Sequence, residues 1–98
     1  AGYAQAEQAA MATKDGNGLV SLGYALAMNA QAEKGVQLIE RGIAKGGLKR
    51  PEDAKLLLGQ ALAEAGQTQK AVQTLRTVRG NDGSADLARL WALLVSRS

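Results

Sequence analysis

Apolar residues recur along this chain at the spacing of a helix face, in blocks separated by glycine or polar breaks. Leu19, Leu22 and Leu26 fall at i, i+3 and i+7, the stripe of an amphipathic helix. Val36, Ile39 and Ile43 repeat the stripe after a turn at Asn29-Ala30-Gln31-Ala32, and Gly46-Gly47 offers a left-handed C-cap. Upstream, residues 4–12 are rich in helix formers and are closed by Lys14-Asp15-Gly16-Asn17-Gly18. Pro51 with Glu52 and Asp53 behind it is a start signal, since proline needs no amide partner there and acids complement the helix dipole. That helix carries Leu58 and Leu62 to Gly66, and Gln67-Thr68-Gln69 opens the next, with Ala71, Val72, Leu75 and Val78 on its buried face up to Gly80. Asn81-Asp82-Gly83 reads as a turn and Ser84 as an N-cap. Leu87, Leu90, Trp91, Leu94 and Val95 then form the most hydrophobic stripe in the chain. The pattern predicts six helices and no strands.

Part of the pattern occurs twice. Leu22-Gly23 followed by Leu26 returns as Leu58-Gly59 followed by Leu62, a shift of 36 positions. Under the same shift Gly35 answers to Ala71, Val36 to Val72, Ile39 to Leu75 and Gly42 to Val78. Two helices recurring at a period in the middle thirties are the signature of a stacked helical hairpin.

These residues resemble the tetratricopeptide repeat, which places Leu-Gly and a bulky residue in its first helix and small, bulky, small in its second. The matching positions are Leu22, Gly23, Leu26, Gly35, Ile39 and Gly42, then Leu58, Gly59, Leu62, Gly66, Ala71 and Leu75. The resemblance covers about residues 16–83. It departs from the pattern at Leu19 and Lys55, where a Trp or large apolar residue is usual, at Val78, and in a longer connection around Gly46 to Arg50. The resemblance implies a single all-α domain, a right-handed α-α superhelix (solenoid) of stacked antiparallel hairpins. Residues 1–15 would be the helix of a partial repeat, 16–50 and 51–83 two full repeats, and 84–98 a capping helix with Trp91 packed inward.

In that family, ligands lie against the first helix of each pair. Placing the repeats by Gly23 and Gly59 puts Asn17, Val20, Ser21, Tyr24, Ala27 and Met28 on that surface, joined by Asp53, Leu56, Leu57, Gln60, Ala63 and Glu64. The family's clamp for a peptide carboxylate needs Lys, Asn and Arg at places where Val20, Tyr24, Leu56 and Gln60 stand. The candidate peptide-binding set is therefore Asn17, Val20, Tyr24, Met28, Asp53, Leu56, Leu57, Gln60 and Glu64, an apolar groove with acidic edges. Val20, Leu56 and Leu57 fit packing between neighbouring helices equally well. The implied function is a protein-interaction module that binds a peptide or helix of another protein. The alternative is a structural segment at the C-terminal end of a longer solenoid, with possible homo-oligomer formation.

Composition narrows the chemistry. The 98 residues contain no histidine and no cysteine, which removes the common zinc ligands, thiol nucleophiles, disulfides and an imidazole base. Carboxylates such as Glu52 and Asp53 have an ordinary role at a helix start, and Gly16-Asn17-Gly18 lacks the Lys-Ser/Thr of a phosphate loop. No enzyme activity and no cofactor are expected. Twelve Lys and Arg against nine Asp and Glu give +3, a mild excess. The basic run Arg41, Lys45, Lys49, Arg50 and Lys55 is diluted by Glu40, Glu52 and Asp53 and reads as a solvated face. Two repeats of a base-reading helical array would bind RNA weakly, so no nucleic acid is expected. No apolar run reaches the length of a membrane span. The chain begins at Ala1 without an initiator Met, as a fragment or processed form would, and its compartment stays open.

Overall fold

Each glycine or polar break in the pattern ends a helix. The computed structural model describes residues 2–80 and 83–97, which form helices α1 (Gly2–Ala12), α2 (Asn17–Met28), α3 (Ala32–Lys45), α4 (Pro51–Glu64), α5 (Thr68–Arg76) and α6 (Ser84–Ser96). No strand occurs among the described residues, and none of the helices is long and apolar enough to cross a membrane. The turn expected at Asn81 and Asp82 lies outside the described residues.

The helix ends follow from local chemistry. Pro51 occupies the first turn of α4 with Glu52 and Asp53 beside it. After α2 the chain closes with Gln31 N–H donating to the Leu26 carbonyl at 2.9 Å, and after α4 with Gln67 N–H donating to Leu62 at 2.9 Å. Both are six-to-one closures that need a residue at positive φ one position earlier. Gly66 supplies it at φ 78° and Ala30 at φ 67°, so a methyl-bearing residue holds the left-handed position in the first case. Gly46 departs from the expected left-handed cap. Its φ of 80° is paired with ψ −163°, a region open essentially to glycine alone. Ser84 is not an N-cap either: Gly83 takes that place at φ 92°, and the serine hydroxyl donates to Asp53 Oδ1 at 3.0 Å.

Successive helices pack against one another from α1 to α6, and α1 is also tied to α3 through the Lys34–Glu7 ion pair at 3.1 Å. In addition α2 lies against α4, and α4 against α6. The shortest extent, 16 Å, is the thickness of two helix layers. The tightest contact is between α2 and α3. A methyl group on Gly23 would sit 2.6 Å from the Gly35 carbonyl oxygen, and one on Gly42 would sit 2.7 Å from that of Gly16. Backbone meets backbone at both ends of this pair, so Ala cannot replace these glycines without separating the helices. In the α4–α5 pair a methyl on Gly59 would instead meet the Leu75 side chain, 2.5 Å from its Cγ. Leu75 stands 36 positions after Ile39, whose Cγ1 is 2.7 Å from the corresponding point on Gly23. At this one contact the facing side chains stand 36 positions apart, as the two glycines do. Val78, where α3 has Gly42, lies buried just beyond the end of α5, and this second helix is 9 residues long against 14 for α3.

Two apolar clusters result. Leu19, Leu26 and Leu38 with Ala10 join α1, α2 and α3, and Leu22 packs against them. The larger cluster runs from Val20 and Ile39 through Leu62 and Leu75 to Ala88, Ala92 and Val95. Its far end corrects the expectation for α6. That helix buries its small residues, Ala85, Ala88 and Ala92 with Val95, and leaves Leu87, Leu90, Trp91 and Leu94 exposed. Trp91 does not pack inward. The alanine ridge allows α6 to approach α4 and α5 closely, which bulky side chains on that face would prevent.

Two outcomes are expected from urea unfolding. Ala30→Gly should stabilise the fold by about 0.5–1 kcal/mol, because relief of left-handed strain exceeds the added chain entropy, and Gly66→Ala should cost about 1 kcal/mol. Gly23→Ala should cost at least about 2 kcal/mol despite a helix-propensity gain of about 1, and Gly59→Ala, whose methyl meets the fully buried Leu75 side chain and not backbone, should cost less, about 1–2 kcal/mol.

Candidate functional site

Three shallow depressions meet over the first turn of α4, two of them on the surface formed by α2, α4 and α6. One, of about 300 Å³, is lined by Asn17, Val20, Ser21, Leu48, Ala54 and Leu57 among others. A second, of about 390 Å³, has Leu56, Leu57, Ser84 and Leu87 on its walls. A third, of about 520 Å³, lies between Lys49 and Pro51 on one side and Arg79 and Gly80 on the other. Arg50 and Asp53 border all three.

Of the nine candidate residues, Asn17, Val20, Asp53 and Leu57 come together in the first depression, and Asp53, Leu56 and Leu57 in the second. Tyr24, Met28, Gln60 and Glu64 line neither. Val20 and Leu56 are buried in the main core, and Leu57 and Tyr24 are half-buried against it. Met28 and Glu64 are exposed and Gln60 is half-buried. Packing therefore accounts for most of Val20 and Leu56, while Leu57 retains open surface.

Two of the polar candidates, Asn17 and Asp53, are engaged within the fold. Asn17 Nδ2 donates to the Gly47 carbonyl at 3.3 Å, and its Oδ1 accepts the Lys49 N–H at 3.1 Å. These bonds, with Gly16 N–H donating to Gly46 at 2.9 Å, clip the α3–α4 connection onto the start of α2. Asp53 stands 36 positions later and plays a parallel part. Its Oδ1 accepts from Ser84 at the start of α6, and its Oδ2 is 2.8 Å from Arg50 Nε. Beside it Glu52 Oε1 accepts the Arg79 N–H at 2.6 Å, and Oε2 pairs with Lys55 at 3.0 Å. The Lys55 hydrogen bond first, and the Arg79 amide second, hold the Glu52 carboxyl below its ordinary value of 4.5.

The basic run is taken apart by the fold: Lys45 donates to the Met11 carbonyl, Lys55 pairs with Glu52 and Arg50 with Asp53. Among the described residues no three acidic side chains converge as a metal site would require. Sequence reasoning did not reach Leu87 or Arg50 as wall residues. The available signal was the alanine ridge of α6, which turns its leucines outward. No family model, curated protein or solved structure matches this chain.

The Glu52 links give a pH signature. A carboxyl whose folded value is lowered adds stability that is present above its unfolded value of 4.5 and disappears as pH falls through the folded one. Glu52→Gln should lower the melting temperature at neutral pH, and the gap to wild type should close on acidification below 4.5. Thermal melts across that range check it, and a gap independent of pH would contradict the linkage.

Proposed function

We propose that this chain is a protein-interaction module of tetratricopeptide-like architecture. In this reading α2–α3 and α4–α5 are two stacked hairpins of a right-handed superhelix, flanked by α1 and α6. The shared 36-residue shift supports it: Gly23 and Gly59 face Ile39 and Leu75, Ala30 and Gly66 close their helices alike, and Asn17 and Asp53 each anchor the next connection. The surface of α2, α4 and α6 binds a peptide segment of another protein.

The observation that carries the binding reading is the apolar track across that surface, from Leu48 past Leu57 to Leu87, bordered by Arg50 and Asp53. Shallow apolar depressions with an ionic rim suit a peptide that inserts two or three apolar side chains and presents polar groups at the edge. No carboxylate clamp is present, since Val20, Tyr24, Leu56 and Gln60 hold its places, so recognition of an internal segment is favoured over a chain end.

Peptides selected on the chain from a random displayed library, then titrated in solution, test the site. Leu48→Ala combined with Leu57→Ala, two walls of the first depression, should weaken the selected peptides by roughly tenfold or more, the value of one or two lost apolar contacts, while the circular dichroism stays helical. Unchanged affinity in a folded double variant removes the groove assignment.

A further inference from the structure

The outer face of α6 is unlike any other surface of the described chain. Leu87, Leu90, Trp91 and Leu94 recur at i, i+3, i+4 and i+7, with exposures of 45%, 54%, 36% and 52%, while the opposite face is already packed on α4 and α5. A helix apolar on both sides is one that is covered on both sides. Leu93 extends the patch at 57% exposure. With on the order of 200 Å² of surface for each large apolar side chain, these five leave roughly 450 Å² open. A standard interface takes about 800 Å² from each partner, about 65% of it apolar at the centre. One helix thus supplies most of the apolar core that one side of a stable dimer needs.

We propose that the outer face of α6 is the interface of a two-fold dimer, in which α6 packs antiparallel against α6 of a second copy. The stripe is self-complementary in that sense. An axis between Leu90 and Trp91 sets Leu87 opposite Leu94 of the second copy and Leu90 opposite its Trp91. Charge selects the antiparallel direction. Asp86 and Arg97 stand at the two ends of the ridge that also carries Leu90 and Leu93, so antiparallel packing brings each acid to the other copy's arginine. Parallel packing would bring like charges together. Among the described residues Asp86 is paired with Arg89 alone, at 3.4 Å with side chains 88% and 72% exposed, a pair weak enough to exchange partners. Opposed helix dipoles favour the same direction. The dimer goes beyond the peptide-binding reading and shares Leu87 with it, at the α6 side of the second depression.

Sedimentation equilibrium up to about 1 mM protein reads the association directly. Wild type should reach twice the chain mass, and the emission of Trp91, the sole tryptophan, should shift to the blue as the dimer forms. Leu90→Glu with Leu94→Glu should raise the dissociation constant roughly a hundredfold or more, since each change occurs twice at the interface. Both positions are exposed, so helical content should be kept. Asp86→Arg alone and Arg97→Asp alone should each weaken the dimer, and the double exchange D86R/R97D should restore it, without altering the apolar stripe. A wild-type chain that stays monomeric at 1 mM, a dimer indifferent to L90E/L94E, or an exchange that fails to restore association overturns the proposal.

Discussion

The backbone contact between α2 and α3 sets the geometry on which everything else is built. Gly23 against Gly35 and Gly16 against Gly42 bring the two helices together along most of their length. Glycines inside helices cost about 1 kcal/mol each relative to alanine, and α2 and α3 carry Gly18, Gly23, Gly35 and Gly42. That expense is offset by what the approach encloses. Leu19, Leu26, Leu38 and Ile39 are all fully buried, each contributing about 1.5–3 kcal/mol. Because the pair is close, the connection from Gly46 to Lys49 lies within reach of Asn17, whose amide fixes the point from which α4 departs.

From there the first turn of α4 works as a junction. Glu52 holds the chain leaving α5 and Asp53 holds the start of α6, both by carboxylate oxygens accepting from N–H or O–H groups. Acids at a helix start complement its dipole anyway, so one pair of residues serves both the local helix and the long-range connections. The three depressions meet at this junction, with Asp53 on the wall of each.

Much of this is legible in the sequence. The stripe of Leu19 and Leu26, the start at Pro51 and the turn at Gly66 each have a local cause, and local causes are what a sequence displays. Residues 23, 35 and 59 were readable as sites of close approach because small residues at helix spacing have few other uses. What the sequence does not display is long-range engagement and close packing. Asn17 and Asp53 border the candidate surface, but their polar atoms are committed to Gly47 and to Ser84 of α6, 30 and 31 positions away, which no local pattern reveals. On α6 both faces are apolar, and periodicity alone ranks the larger side chains as the core. Close helix packing ranks the alanines first, since the number of atoms in contact depends on how near the backbones come.

That preference explains why the largest apolar side chains of α6 remain outside. Burying Ala85, Ala88 and Ala92 secures contact with α4 and α5 along the whole ridge, and Leu90, Trp91 and Leu94 have no room on that side. At about 25 cal/mol per Å², the roughly 450 Å² left open on this helix corresponds to on the order of 10 kcal/mol of burial not realised within the chain. A domain of this size has a net stability of about the same magnitude. Association recovers only part of such a sum, because lost translational freedom and side-chain ordering oppose it. The remainder is still large beside the small contributions of the exposed ion pairs, so apolar burial supplies the affinity of this surface and Asp86 and Arg97 set its direction.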